Sequence, residues 1–367
     1  MKVIVTGGGT GGHLFPALAV AKALKKRHEG LSVLFLGTRH GLEATRVPQE
    51  GLPLEYILSR GLSSNPFKAG AALAITSLGF LQSIEVLLRE KPRLVVGTGG
   101  YVSAPVVMAA HICRVPAVLL EQNTIPGKTN RFLARFARKV CTSFQGTERY
   151  LPPGKAHLTG NPVREEILEV SREEGRRRLE IPPGRPCILV TGASQGAKSI
   201  NEGILKALEG WKGQEWSIIH LTGERNYEEV SSRAAELLRG AKLFYRAMGF
   251  LGAIHDAYAA CDLVVCRAGA TTIAEVTARG IPALIIPYPY AAEDHQVKNA
   301  RWLEEQGAAF MIADDKVKEE LSPLLGKLMR DPEALRSMAE RSKALGKPEA
   351  LDEILKVLDI FLSNQKA

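Results

Sequence analysis

No aspartate occurs before Asp256. Within residues 1–162, 20 Lys and Arg stand against eight Glu, a net charge of +12, while the rest carries 28 against 31, a net of −3. A first half this basic suits an anionic partner (nucleic acid, a membrane surface or a phosphorylated substrate) or a solvated surface without special purpose. Cysteine is scarce as well. Cys113, Cys141, Cys187, Cys261 and Cys266 form no C-x-x-C pair and have no histidine at metal spacing, so buried free thiols in a reducing compartment are expected. No apolar run reaches the ~18–20 uninterrupted residues of a membrane-spanning helix. Only three apolar residues follow Lys2 before the glycines, so no secretory leader is expected. Clustered carboxylates are absent too, so neither a tightly held metal ion nor a cofactor is expected. At 367 residues and 45% hydrophobic content, the chain exceeds one core and should form two domains.

What is present is an alternation of short β-branched runs with helical patterns, the mark of parallel α/β sheets. The strands expected in the first half are 3–6, 32–36, 94–96, 117–120 and 139–141, with helices such as 17–27 and 130–136 between them. The alternation pauses at Gly160-Asn161-Pro162, and charged residues lead to Pro182-Pro183-Gly184. A second series follows at 187–191, 217–221, 242–245, 263–266 and 283–287, with a helical tail over 332–362. Two Rossmann-like domains with parallel sheets facing a cleft are expected. The first spans 1–162 and the second 163–344, with a last helix near 345–367 packing back on the first. Ligands should sit at the strands' carboxyl ends.

Gly7, Gly9 and Gly12 satisfy G-x-G-x-x-G after a strand, but the second strand ends Gly37-Thr38-Arg39 rather than in the acid a dinucleotide ribose needs. NAD is disfavoured, and NADP survives only through Arg39. His13, where a glycine loop opens a helix whose first turn is set near Pro16, is either a capping histidine or a general base kept neutral by the helix dipole. Glu121 is the rival base. A second glycine loop at 97–101 and Glu121-Gln122-Asn123 would, with the first, line one mouth of strand ends with N–H groups and amides suited to a pyrophosphate and sugar hydroxyls, while 192–199 resembles a P-loop one residue too short between its glycines. Thr272 and Glu275 fit a capping box, or else phosphate and ribose contacts. Glu293 through Gln296 could read a sugar. Residues 66–93, with Leu73, Ile75, Leu78, Phe80 and Leu81 beside Lys68, Arg89, Lys91 and Arg93, form either an apolar membrane patch with a cationic rim or a core-facing helix. No nucleic-acid recognition motif is found.

Several segments together resemble the MurG family of UDP-N-acetylglucosamine transferases over nearly the whole chain. They are Gly8-Gly9-Thr10-Gly11-Gly12-His13, Gly99-Gly100-Tyr101-Val102-Ser103, Glu121-Gln122-Asn123, Gly160-Asn161-Pro162-Val163-Arg164, Ser194-Gln195-Gly196-Ala197, Arg267-Ala268-Gly269-Ala270 and Glu275. The resemblance implies a glycosyltransferase B-type fold with an N-terminal acceptor domain and a C-terminal UDP-sugar domain. It implies inverting transfer of GlcNAc from UDP-GlcNAc to O4 of MurNAc in undecaprenyl-pyrophosphoryl-MurNAc-pentapeptide (lipid I), giving lipid II for peptidoglycan. That places the chain peripherally at the cytoplasmic face of the bacterial plasma membrane, on an anionic surface. By the same resemblance Thr10, Gly11, Gly12 and Asn123 meet the donor sugar or reaction centre, Arg164 and Ser194 the diphosphate region, and Leu251 the uracil. Ala270, Thr271, Thr272, Ile273, Ala274 and Glu275 hold phosphate and ribose, and His295 and Gln296 the GlcNAc. His295 replaces the first glutamine of a Gln-Gln pair seen in some members, and Thr271 replaces a leucine. Three other readings stand beside this one: a related transferase with a different lipid acceptor, an NADP oxidoreductase, and a nucleic-acid binder.

Overall fold

The structure is a computed structural model describing residues 1–61, 65–193 and 195–363, without the side chains of 66–68. It divides into two compact units, Met1–Pro162 with Glu349–Ala367, and Val163–Pro348.

In the first unit, parallel strands β1 (Lys2–Thr6), β2 (Ser32–Gly37), β3 (Leu54–Tyr56), β4 (Leu94–Gly97), β5 (Ala117–Glu121), β6 (Lys139–Thr142) and β7 (Ala156–Leu158) lie in the order β3-β2-β1-β4-β5-β6-β7. Val3, Ile4 and Val5 are wholly buried, as expected of strands covered on both faces. Helices Gly11–Arg27 and Ala350–Ser363 cover one face, the latter adding Ile354, Leu355, Val357, Leu358 and Leu362 to the core. Helices Pro66–Glu90 and Gly100–Ile112 cover the other. Chain direction across the sheet reverses between β1 and β4, so the crevice for a ligand opens at their carboxyl ends.

The second unit repeats the plan. Strands β8 (Cys187–Thr191), β9 (Ser217–Leu221), β10 (Phe244–Met248), β11 (Leu263–Cys266), β12 (Ala283–Ile285) and β13 (Ala309–Met311) run parallel in the order β10-β9-β8-β11-β12-β13. The reversal falls between β8 and β11. Trp211 and Trp216 stack edge to face in its core, with centroids 5.7 Å apart.

Several elements differ from the sequence expectation. The three-residue margin strands β3, β7 and β13 were not expected; β3 and β7 are interrupted by Glu55 and His157, whereas β13 lies inside the apolar run 308–313. β10 starts at Phe244 because Lys242 N–H is taken by Lys212 O, outside the ladder. The expected helix 130–136 is Lys128–Leu133. The first helix begins at Gly11, where Thr10 O accepts from His13 and Leu14. Pro16 therefore lies inside it, leaving the Gly12 carbonyl without its usual donor. The segment Ala69–Glu90 is long and apolar enough, by length and composition, to cross a membrane, since mostly Gly, Ala, Ser and Thr interrupt its Leu and Ile and no charge occurs before Glu85. It nonetheless gives Ala72, Val86 and Leu87 to the first unit's core. Phe80 turns inward with Ile84, while Leu73, Leu78, Leu81 and Leu88 remain exposed. Arg89 is held by Glu55 and Glu90. Four of the five cysteines are buried, and burial pushes Cys141, Cys187 and Cys266 up to about 12, making them poor nucleophiles.

Candidate functional site

In the first unit, three loops converge after β1, β4 and β5. The His13 ring seats against the second glycine loop, where a Cβ on Gly99 or Gly100 would press on it. Its Nδ1 lies 2.9 Å from Thr98 O and 3.1 Å from Gln122 Oε1. The Gln122 amide is oriented by its NH2 donating to Leu120 O, so both groups facing Nδ1 are acceptors. In the neutral ring Nδ1 therefore carries the proton and Nε2 the lone pair. Thr98 Oγ1 donates to His13 O at 2.7 Å, tying the first two glycine loops together.

Glu121 is 1% exposed. Its Oε1 accepts from the Asn123 backbone (2.9 Å) and side chain (3.2 Å), and Oε2 from Asn130 Nδ2 (2.8 Å). Burial pushes its pKa up to about 7 against the pull of these donors. The carboxyl thus organises the loop that carries Asn123, which is half-buried. Thr10 and Gly12 are exposed at the helix start, with Gly11 partly so.

In the second unit, a cavity of about 390 Å³ is lined by the loop after β8, Lys198, Arg267, Gly269, Thr272, Tyr288 and Gln296. The helix Ala270–Arg279 opens there, its first internal bond running from Ile273 N–H to Gly269 O. The N–H groups of Ala270, Thr271 and Thr272 precede that bond and suit an anion. Thr271 Oγ1 is buried with no hydrogen-bond partner among the described residues. The cap is Gly269, so Thr272 is the third helical residue and the expected capping box with Glu275 does not form.

Glu275, 4% exposed, instead accepts from Arg164 Nε (2.9 Å) and Nη2 (2.7 Å), both on Oε1. Burial pushes its pKa up while Arg164 and Tyr258 pull it down. Gln296 Oε1 takes the N–H groups of Ala268 (3.1 Å) and Tyr288 (3.0 Å), which locks the loop and leaves the amide NH2 for a ligand. His295 Nδ1 lies 2.6 Å from Ala292 O. Ile273 is buried, while Ala274 and Leu251 are half-buried; Ser194 lies outside the described residues.

Sequence reasoning missed Arg267 as an organiser. It donates to Ile286 O, Pro287 O and Asp314 and to Ser199 Oγ, and its guanidinium lies 5.6 Å from the Tyr288 ring centroid. Asp314 is far away in sequence, so only the structure pairs them.

Residues 3–142 match the glycosyltransferase family 28 N-terminal domain, and residues 187–354 its C-terminal domain. The chain belongs to glycosyltransferase family 28. Within the family it is 43% identical to the UDP-N-acetylglucosamine--N-acetylmuramyl-(pentapeptide) pyrophosphoryl-undecaprenol N-acetylglucosamine transferase of Halothermothrix orenii, over 98% of both chains. It is 41% identical to the same-named transferase of Desulforudis audaxviator, again over 98% of both. A crystal structure of Acinetobacter baumannii MurG superposes with a TM-score of 0.80 at 31% identity, covering 98% of this chain and 99% of that one. The fold is the α/β glycosyltransferase B type, and the chain is a family 28 glycosyltransferase. An oxidoreductase on Arg39 falls away; that guanidinium lies 5.3 Å from the Tyr56 ring centroid.

Proposed function

We propose that the chain transfers GlcNAc from UDP-GlcNAc to O4 of MurNAc in lipid I, with inversion, yielding lipid II and UDP. The acceptor hydroxyl attacks C1 of GlcNAc, the C1–O bond to UDP breaks, and the hydroxyl proton passes to His13 Nε2. Negative charge grows on the departing diphosphate, where the N-terminus of Ala270–Arg279 and Arg164 stabilise it. Thr10, Gly11, Gly12 and Asn123 serve the reaction centre, Glu275 the ribose, Leu251 the uracil and Gln296 the GlcNAc hydroxyls. The observation that carries this reading is His13, whose proton is fixed on Nδ1 by Thr98 and Gln122 so that Nε2 can accept.

The deciding assay follows labelled GlcNAc from UDP-GlcNAc to a lipid I analogue, with other UDP-sugars and diacylglycerol as controls. Transfer to diacylglycerol alone would overturn the acceptor assignment. In the same assay Glu275→Gln is expected to raise the KM for UDP-GlcNAc about 10- to 100-fold, the effect of losing a charged hydrogen bond, while the acceptor KM stays within twofold. An unchanged donor KM would remove Glu275 from the nucleotide site.

The chain works at the cytoplasmic face of the plasma membrane as a peripheral protein, its partner an anionic lipid surface. Support comes from the basic first unit and from the exposed Leu73, Leu78, Leu81 and Leu88 on one helix. The double variant Leu78→Ser with Leu81→Ser should cosediment with anionic liposomes at least fivefold more weakly. Binding unaffected by these changes and by salt would count against the surface.

A further inference from the structure

Beneath the first glycine loop lies a carboxylate that the proposed mechanism does not use. Glu43, the first residue of the helix Glu43–Gln49, is completely buried, and among the described residues no cation pairs with it. Its Oε2 accepts from Gly9 N–H at 3.0 Å, and its Oε1 from Thr38 N–H at 3.1 Å and Thr38 Oγ1 at 2.7 Å. Gly8 on the first glycine loop and Gly37 and Gly41 on the turn leading into its own helix wall it in, since a Cβ on any of them would run into its side chain. A buried carboxyl group held only by neutral donors is costly to disturb, because losing a donor leaves the desolvation cost of its oxygen uncompensated.

Its grip falls on Gly9, where the loop turns through a positive φ of 77°. Next to Gly9, Gly8 O lies against Gly100, and four residues on is His13. Fixing Gly9 therefore fixes the register in which Thr10–Gly12 and the His13 ring meet the second glycine loop. We propose that Glu43 is a positioning residue, setting the conformation of the first glycine loop and through it the acceptor side of the reaction. The kinetic part rests on the acceptor role proposed for that loop; the conformational part does not.

The test compares wild type with Glu43→Gln, whose NH2 must face either Gly9 or Thr38 and so loses at least one bond. Amide exchange of the peptide covering Gly7–Leu14 should quicken at least tenfold. The kcat/KM for a lipid I analogue should fall 10- to 100-fold, while the KM for UDP-GlcNAc and the affinity for UDP, read on the second unit, stay within twofold. Thr38→Val, which removes one donor and keeps the carboxylate, should act in the same direction by about threefold. Unchanged exchange of the loop would overturn the positioning role. So would a parallel loss of donor affinity and melting temperature, the signature of a merely structural carboxylate. If the wild type moves no sugar to the analogue, the functional reading falls alone, and the exchange measurement still decides what Glu43 does.

Discussion

Replacing His13 with alanine is expected to lower kcat by about 10²–10⁴-fold, the range for removing a positioned general base. UDP binding should persist, because the groups proposed to hold the nucleotide lie on the second unit. The size of the effect follows from geometry: two acceptors at Nδ1 commit the proton there and the basic lone pair to Nε2. His13→Gln keeps an amide near Thr98 but offers no comparable base, so it should resemble alanine. Single-turnover measurement at saturating donor and acceptor separates chemistry from binding. Near wild-type turnover in both variants would hand the base role to another group, with Glu121 next in line.

The second large effect concerns acid. His220 on β9 is fully buried, with Nε2 3.0 Å from Asn201 Oδ1 and Nδ1 2.8 Å from the Tyr245 hydroxyl. Asn201 donates on to Thr222 O, next to Gly223, which abuts the loop at Gln195 and Gly196. Burial lowers the imidazole pKa from 6.5 to about 3. Between those values the unfolded chain binds a proton that the native unit refuses, so stability is complete above about pH 6.5 and falls on acidification. The linked loss reaches about 5 kcal/mol by pH 3, at about 1.4 kcal/mol per pH unit. That rivals a domain's whole stability of about 5–15 kcal/mol. All three tryptophans, Trp211, Trp216 and Trp302, belong to the second unit, so urea melts followed by their fluorescence report that unit alone. His220→Gln should start less stable at pH 7.5 yet lose this part of the slope between pH 6 and 4. Equal slopes in both proteins would refute the assignment.

The glycine loops were legible because each follows a β-branched run and precedes a helix, and that local grammar fixes where backbone N–H groups point. β1, β2, β5, β8, β9 and β11 were legible for the same reason: buried parallel strands are apolar throughout. The margins β3 and β7 lack that signal, interrupted by Glu55 and His157, whereas β13 carried it within 308–313 and was overlooked. Thr272 and Glu275 had the spacing of a capping box, but the helix starts at Ala270 and a residue over a hundred positions away, Arg164, takes the carboxylate. The direction of Phe80 stayed open between an outward patch and a core-facing helix because the segment is apolar nearly all round, which hides its inner face. Glu43 went unread because the group it grips across the loops, Gly9 N–H, lies 34 residues earlier in the chain.

The helix Ala350–Ser363 closes the core of a unit whose other residues end at Pro162. During synthesis, the first unit must wait for about 200 further residues before its last core helix exists, roughly 10–40 s at ribosomal speed. Throughout that interval the apolar surface that later receives Ile354, Leu355 and Leu358 is uncovered, and the second unit is completed before it is covered. The order of completion is thus inverted along the chain: the part made first is finished last.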